Sequence, residues 1–137
     1  MRISLVPEEA IGHVWKDVEG ILDKAVDTIE DKSKVIDILT GVYEGMYVLW
    51  VVLDDDDKIV AAFTTRLIVY PRRKALAVDW VGGTQMKEWE DQWVETMKRY
   101  ANELDCSHIE GYGRKGWGRA LKKYGFYLEY IAYRMEL

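Results

Sequence analysis

Three strand-like runs follow one another with almost no chain between them. They are Met46–Leu53 (MYVLWVVL), Ile59–Tyr70 (IVAAFTTRLIVY) and Ala75–Val81 (ALAVDWV). The breaks are the polar segments DDDDK and PRRK, and the third run stops at Gly82-Gly83. Connections this short cannot carry a crossover helix, so the runs must pair antiparallel as a meander. A sheet this rich in β-branched and aromatic residues needs apolar cover, and helices on either side of the runs must supply it.

The sequence contains those helices. Pro7 opens the first, with Glu8 and Glu9 in its first turn, where negative charge suits the helix dipole. Ile11, Val14, Trp15, Val18, Leu22 and Ala25 keep its apolar face. A second helix starts near Ser33, turns Val35, Ile36, Leu39, Val42 and Tyr43 inward, and stops at Gly45. The clearest helix follows the meander: Met86, Trp89, Trp93, Met97, Tyr100 and Leu104 recur every three or four residues, with charge between them. A Met/Trp stripe at this spacing reads as core before it reads as a ligand surface.

Shorter elements complete the order. Ile3–Val6 reads as a first strand and Ser107–Glu110 as a later one, followed by a short helix through Leu121 and final strands from Phe126 to Glu136. The expected order is β-α-α-β-β-β-α-β-α-β, with one more strand possible at the end. The fold class is α+β or mixed α/β: a central, mostly antiparallel twisted sheet flanked by about four helices. The 137 residues suit a single domain, 1–137.

Composition removes several classes of function. Hydrophobic residues make up 49% and charged residues 31%, which supports a packed core rather than disorder. The longest apolar run, Met46–Leu53, is far shorter than the roughly 20 residues a membrane helix needs. The N-terminal residues lack the apolar stretch of a secretory signal, so the expectation is neither membrane nor secreted. A net charge of −5 argues against nucleic acid as the main partner. Six Trp and nine Tyr exceed what polar recognition needs and point to core and protein interfaces.

Four patterns invite a chemical reading. Gly111-x-Gly113-x-x-Gly116 spells a dinucleotide fingerprint, but it lies near the C-terminus, with no room for the βαβ unit and distal acid that the motif requires. The glycines therefore read as a turn between a strand and a short helix, with Trp117 and Leu121 facing the core. Arg114, Lys115, Arg119, Lys122 and Lys123 form the one basic patch, read as a solvated face before a phosphate or acidic-partner site. Cys106 and His108 share a strand face as a nucleophile pair would, but no third group orients them, so the structural reading is favoured. Asp54–Asp57 reads as a hairpin turn rather than a cation site. A single cysteine rules out an internal disulfide, and two histidines without a carboxylate pattern suggest no metal.

The element order and two segments, Asp79–Trp89 (DWVGGTQMKEW) and Gly113–Phe126 (GRKGWGRALKKYGF), resemble the GNAT acetyltransferase superfamily over essentially the whole chain. With LWVV and RMEL, these segments are most similar to the small GNAT-like proteins of tailed phages and prophages. The resemblance implies an acetyl-CoA site at Val81, Gly82, Gly83, Thr84 and Gln85, between the fourth strand and the long helix. It also implies an acid or base among Asp79 and Tyr124. The superfamily's usual acid tyrosine falls at Leu121, its usual asparagine at Arg114, and the loop lacks its basic residue and second glycine. The implied function is a phage-type protein with a degenerate cofactor site, acting in a virion or its assembly through phage structural proteins or self-association and using no cofactor. The alternative is a divergent acyl-CoA-dependent N-acetyltransferase using acetyl-CoA. The implied location is the host cytoplasm or the virion.

Overall fold

The structure is a computed structural model describing residues 1–26, 32–113 and 115–137. Five strands form one sheet in the order β1-β2-β3-β4-β5: β1 Arg2–Leu5, β2 Val48–Leu53, β3 Ile59–Val69, β4 Lys74–Gly83 and β5 His108–Gly111. The first four pair antiparallel, and β5 joins β4 in parallel. Between them run α1 Ile11–Val26, α2 Val35–Tyr43, α3 Met86–Glu103 and α4 Lys115–Leu121, with 3-10 turns at Glu8–Ala10 and Lys122–Tyr124. The expected meander is present, and the α+β class holds.

The sheet separates two apolar cores because side chains alternate along each strand. On one face Trp50, Val52, Phe63, Leu76 and Val78 meet the α3 stripe of Trp89, Trp93 and Met97. On the other, Leu49, Val51, Ala62 and Trp80 meet Val18 and Leu22 of α1 and Ile38 and Val42 of α2. Phe63 is fully buried, stacked 5.6 Å from Trp50 and edge-on to Trp93 at 6.0 Å. Such ring pairs add to the burial of their large apolar area.

The acidic turn is the hairpin its composition implied. Asp54 Oδ1 accepts the Asp56 and Lys58 N–H groups, each at 2.9 Å. Arg2 reaches Asp57 at 2.9 Å, and the terminal amine lies 3.7 Å from Asp55.

Two expectations are corrected. The α2 face differs in part: Val35, Leu39 and Val42 pack on the core as expected and Ile38 and Gly41 join them, while Ile36 and Tyr43 are exposed. Both stripes satisfy helical spacing, and tertiary packing selects the one containing Ile38. Residues 126–137 form no strand. They have no regular structure, and Tyr127–Leu137 is exposed throughout. Their alternation is strand-like, but no ladder satisfies it.

Candidate active site in the β4–β5 cleft

β4 and β5 pair only from Ala75↔His108 to Val78↔Gly111, and the Tyr112 N–H closes the ladder on the Val78 carbonyl at 3.2 Å. β4 then continues through Asp79–Gly83 without a β5 partner, so the two strands part after Val78. A bulge shapes β4 at the same place. Phe63 pairs with Val81 but Thr65 pairs with Val78, which sets three β4 steps against two on β3. Bulges of this kind re-aim side chains beside functional sites.

Here the bulge brings Asp79 to Arg66. Arg66 Nε donates to Oδ2 at 2.6 Å and Nη2 to Oδ1 at 3.2 Å, a two-pronged ion pair. The bond to Asp79 raises the Arg66 pKa, against the smaller opposing effect of burial. The guanidinium also sits 5.8 Å from the centre of the Tyr112 ring. Tyr47 packs edge-on to Trp80 at 5.1 Å, and burial, followed by the nearby Asp79 charge, raises its pKa. Tyr47, Arg66, Asp79, Leu76 and Tyr100 line a cavity of about 670 Å³. Thr64 Oγ1 and Trp80 Nε1, on strand residues flanking the bulge, are buried without a hydrogen-bond partner among the described residues.

A second polar centre lies on β5. Glu110 is buried and accepts the Tyr70 hydroxyl at 2.7 and 2.9 Å, the Tyr112 hydroxyl at 2.7 Å, and His108 Nε2 at 2.8 Å. His108 Nδ1 is 2.9 Å from the Ser107 hydroxyl. Burial pushes the Glu110 pKa up, but the bonds from Tyr70, His108 and Tyr112 together outweigh it and hold the carboxyl below its ordinary value. Burial, then the hydrogen bond donated to Glu110, then the hydrogen-bond contact with Tyr130 push the Tyr112 phenol far above its ordinary value. Tyr112 is therefore a neutral donor at any physiological pH. It links the Glu110 centre to Arg66 and Asp79 through its ring.

Gly82 and Gly83 are the last residues of β4, paired with Ala62 and Ala61. Packing accounts for both: a Cβ on Gly82 would lie 2.7 Å from the Ile21 carbonyl oxygen, and one on Gly83, at φ 128°, would lie 2.4 Å from the Ala61 Cα. Val81 is half-buried against the α3-side core. The connection to α3 is thus only Thr84 and Gln85. The Thr84 N–H is taken by the Val60 carbonyl at 2.9 Å, and its own carbonyl accepts Trp89 Nε1 at 2.8 Å. Gln85 adopts a left-handed conformation, and the Glu88 N–H closes on its carbonyl. Met86 and Lys87 open α3, so their N–H groups have no acceptor a turn earlier in the helix, and the Gln85 side chain does not cap them. Beside them Met86, Gly116, Trp117 and Ala120 line an open hollow of about 390 Å³ between α3 and α4.

The structure brings Asp79 into the cleft but not Tyr124. The Tyr124 hydroxyl donates to Asp91 on α3, and burial together with that bond pushes its pKa up to about 12. Leu121 packs into the α3-side core. The basic patch is partly neutralised, because Lys123 pairs with Glu90. Arg114 lies outside the described residues. Cys106 and His108 do not act together: His108 bonds to Ser107 and Glu110, and burial raises the Cys106 thiol. A raised thiol is a poor nucleophile at neutral pH.

Arg66, Glu110, Tyr70 and Tyr112 were missed by reading the sequence. Arg66 and Asp79 carry opposite charges on adjacent strands of one hairpin, near each other when counted back from the PRRK turn, and that was the available signal. His108, Glu110 and Tyr112 alternate along one stretch and so share a strand face, which was the local signal; only Tyr70 comes from elsewhere in the chain.

No protein-family model matches the chain, and no curated protein sequence does. Solved structures do. A ribosomal-protein-alanine N-acetyltransferase from Brucella melitensis superposes with a TM-score of 0.75 at 10% identity, covering 100% of both chains. A GNAT family acetyltransferase from Staphylococcus aureus gives 0.66 at 10% identity, covering 99% of this chain and 98% of the other. An acetyltransferase from Trypanosoma brucei gives 0.64 at 11%, covering 99% of each. The chain has the GNAT acetyltransferase fold.

Proposed function

We propose that this GNAT-fold chain is a divergent acyl-CoA-dependent N-acetyltransferase. The observation that carries the proposal is the parting of β4 and β5 after Val78, with the ion-paired Asp79 at that point and a separate hollow beside the first turn of α3. The residues there fit an acyl-CoA arm: N–H donors of Met86 and Lys87 for phosphate oxygens, and the Met86–Trp117–Ala120 hollow for the apolar stem. The cofactor supplies an acyl thioester. Asp79 keeps unfilled lone pairs beside those used by Arg66 and orients an amine in the 670 Å³ cavity; Tyr112 remains protonated.

Calorimetry with acetyl-CoA tests this reading. Binding in the micromolar range is expected, and Ala120→Trp, which fills the α3–α4 cavity, abolishes it. Asp79→Asn lowers the release of free CoA thiol with a small-amine acceptor by about 100-fold, with acetyl-CoA affinity unchanged. Absence of heat at millimolar acetyl-CoA sinks the enzymatic reading.

A second reading, a phage-type binding protein in a virion or its assembly, is favoured by a different observation. Glu110 is already engaged by three donors, Gly82 and Gly83 serve packing, and the C-terminal segment offers an apolar surface. It predicts no acetyl-CoA binding and co-purification with intact phage particles.

A further inference from the structure

The 670 Å³ cavity exists because neighbouring strands end at different levels. β2 begins at Val48, opposite Thr65, so β3 runs on through Arg66 and Leu67 with no β2 residue beside it. The Gly45–Tyr47 connection forms one wall of the gap, and Tyr100 and Leu104 at the end of α3 form another. A volume of this size suits a small molecule.

Arg66 is the one cation among the described lining residues, and Asp79 the one anion. A guanidinium has two forks of paired N–H groups. Asp79 fills the side fork, Nε with Nη2, and so fixes the plane of the group. The end fork, Nη1 with the second Nη2 hydrogen, has no partner among the described residues, and the side chain is 31% exposed. Asp79 spends one lone pair of each oxygen on Arg66 and keeps the others. The Tyr47 hydroxyl also makes no hydrogen bond among the described residues, and burial, then the Asp79 charge, raises its pKa and keeps it a neutral donor. Two donors thus await a carboxylate, and lone pairs beside them await an amine.

Charge narrows the ligand further. Arg66 and Asp79 sum to zero, so a zwitterion keeps the cavity neutral, whereas a bare amine or a bare acid leaves one charge unpaired in a half-buried place. We infer that this cavity binds a free α-amino acid with an apolar side chain, which is the acceptor if the acyltransferase reading above holds. Its carboxylate takes the Arg66 end fork and the Tyr47 hydroxyl, its amine takes Asp79, and its side chain lies against Met46, Leu67 and Leu104. A peptide N-terminus has an amide where the carboxylate belongs and is rejected. In transfer, the bound ammonium gives one proton to water. Its nitrogen then bonds to the acyl carbon as the thioester C–S bond breaks, and a second proton leaves with the CoA thiol.

Calorimetry with L-leucine, L-leucinamide and 4-methylpentanoate, without acetyl-CoA, tests the inference. L-leucine is expected to bind at least about 10-fold tighter than leucinamide, which lacks the carboxylate, or 4-methylpentanoate, which lacks the amine. Arg66→Lys keeps a charge beside Asp79 but has no fork, and it removes the preference over leucinamide. Tyr47→Phe deletes only the unpartnered hydroxyl, lowers leucine affinity several-fold and leaves leucinamide unchanged, a readout that stands even if the lysine variant fails to fold. Leucine binding without acetyl-CoA binding supports the amino-acid site and sinks only the acyltransferase reading. No leucine binding at millimolar concentration overturns the inference. Equal affinity for leucine and leucinamide overturns it too, as does a preference that survives both substitutions, since the carboxylate then lies elsewhere.

Discussion

Val48–Gly83 and Tyr127–Leu137 are built from the same residue types, with β-branched and aromatic side chains at alternate positions. In the first, Phe63, Leu49 and Val52 are fully buried; in the second, the large side chains stand in solvent. Turn chemistry separates them. Asp54 and the PRRK segment fold each meander strand back onto the previous one within a few residues. After Gly125 nothing returns the chain to an edge. A strand is stable only as part of a pair, so alternation alone does not decide whether it forms.

The comparison is broken most strongly at Phe63. Phe63→Ala leaves a cavity between Trp50 and Trp93 and costs about 3–5 kcal/mol in urea unfolding. Gly83→Ala comes next. A Cβ there meets the Ala61 Cα and the Val60 carbonyl at a φ that L residues avoid, and the expected loss is about 2–4 kcal/mol without any cofactor present. That result would assign Gly83 to packing first, whatever the site binds.

Glu110 probes the far end of the same sheet. Its pKa is depressed in the folded state, so its contribution is present above the unfolded value and is lost as pH falls through the folded one. Glu110→Gln costs about 1–3 kcal/mol at neutral pH and flattens the decline in stability between about pH 5 and pH 3, read by denaturant midpoints at each pH. The smallest effect belongs to the tail. Tyr133→Ser changes domain unfolding by less than about 0.5 kcal/mol. If it costs as much as Phe63→Ala, the tail packs on its own domain.

How much of the molecule could be read beforehand follows the range of the interactions. The meander, the α3 stripe and the acidic hairpin were legible because a few neighbouring residues determine them. The α2 face was misjudged because two stripes satisfy one helical period, and only packing against α1 and the sheet chooses between them. At the site, Asp79 was visible as a carboxylate on an apolar strand. Its partner Arg66 could have been found by counting back from the PRRK turn, since the register is regular as far as Thr65↔Val78. In the Glu110 centre His108 and Tyr112 lie two residues to either side and were open to a period-two reading, whereas Tyr70 reaches it from the end of β3 and depends on the tertiary fold.

The sequence by itself therefore determined the element order, the antiparallel core and the amphipathic helices, because hydrophobic period and turn residues act over a few positions. The tertiary structure decided where charge is buried, which glycines serve packing, and that β4 and β5 part after Val78. It also decided that the last strand-like segment stays unpaired, because ladder formation depends on a partner edge and local alternation carries no information about where that edge lies.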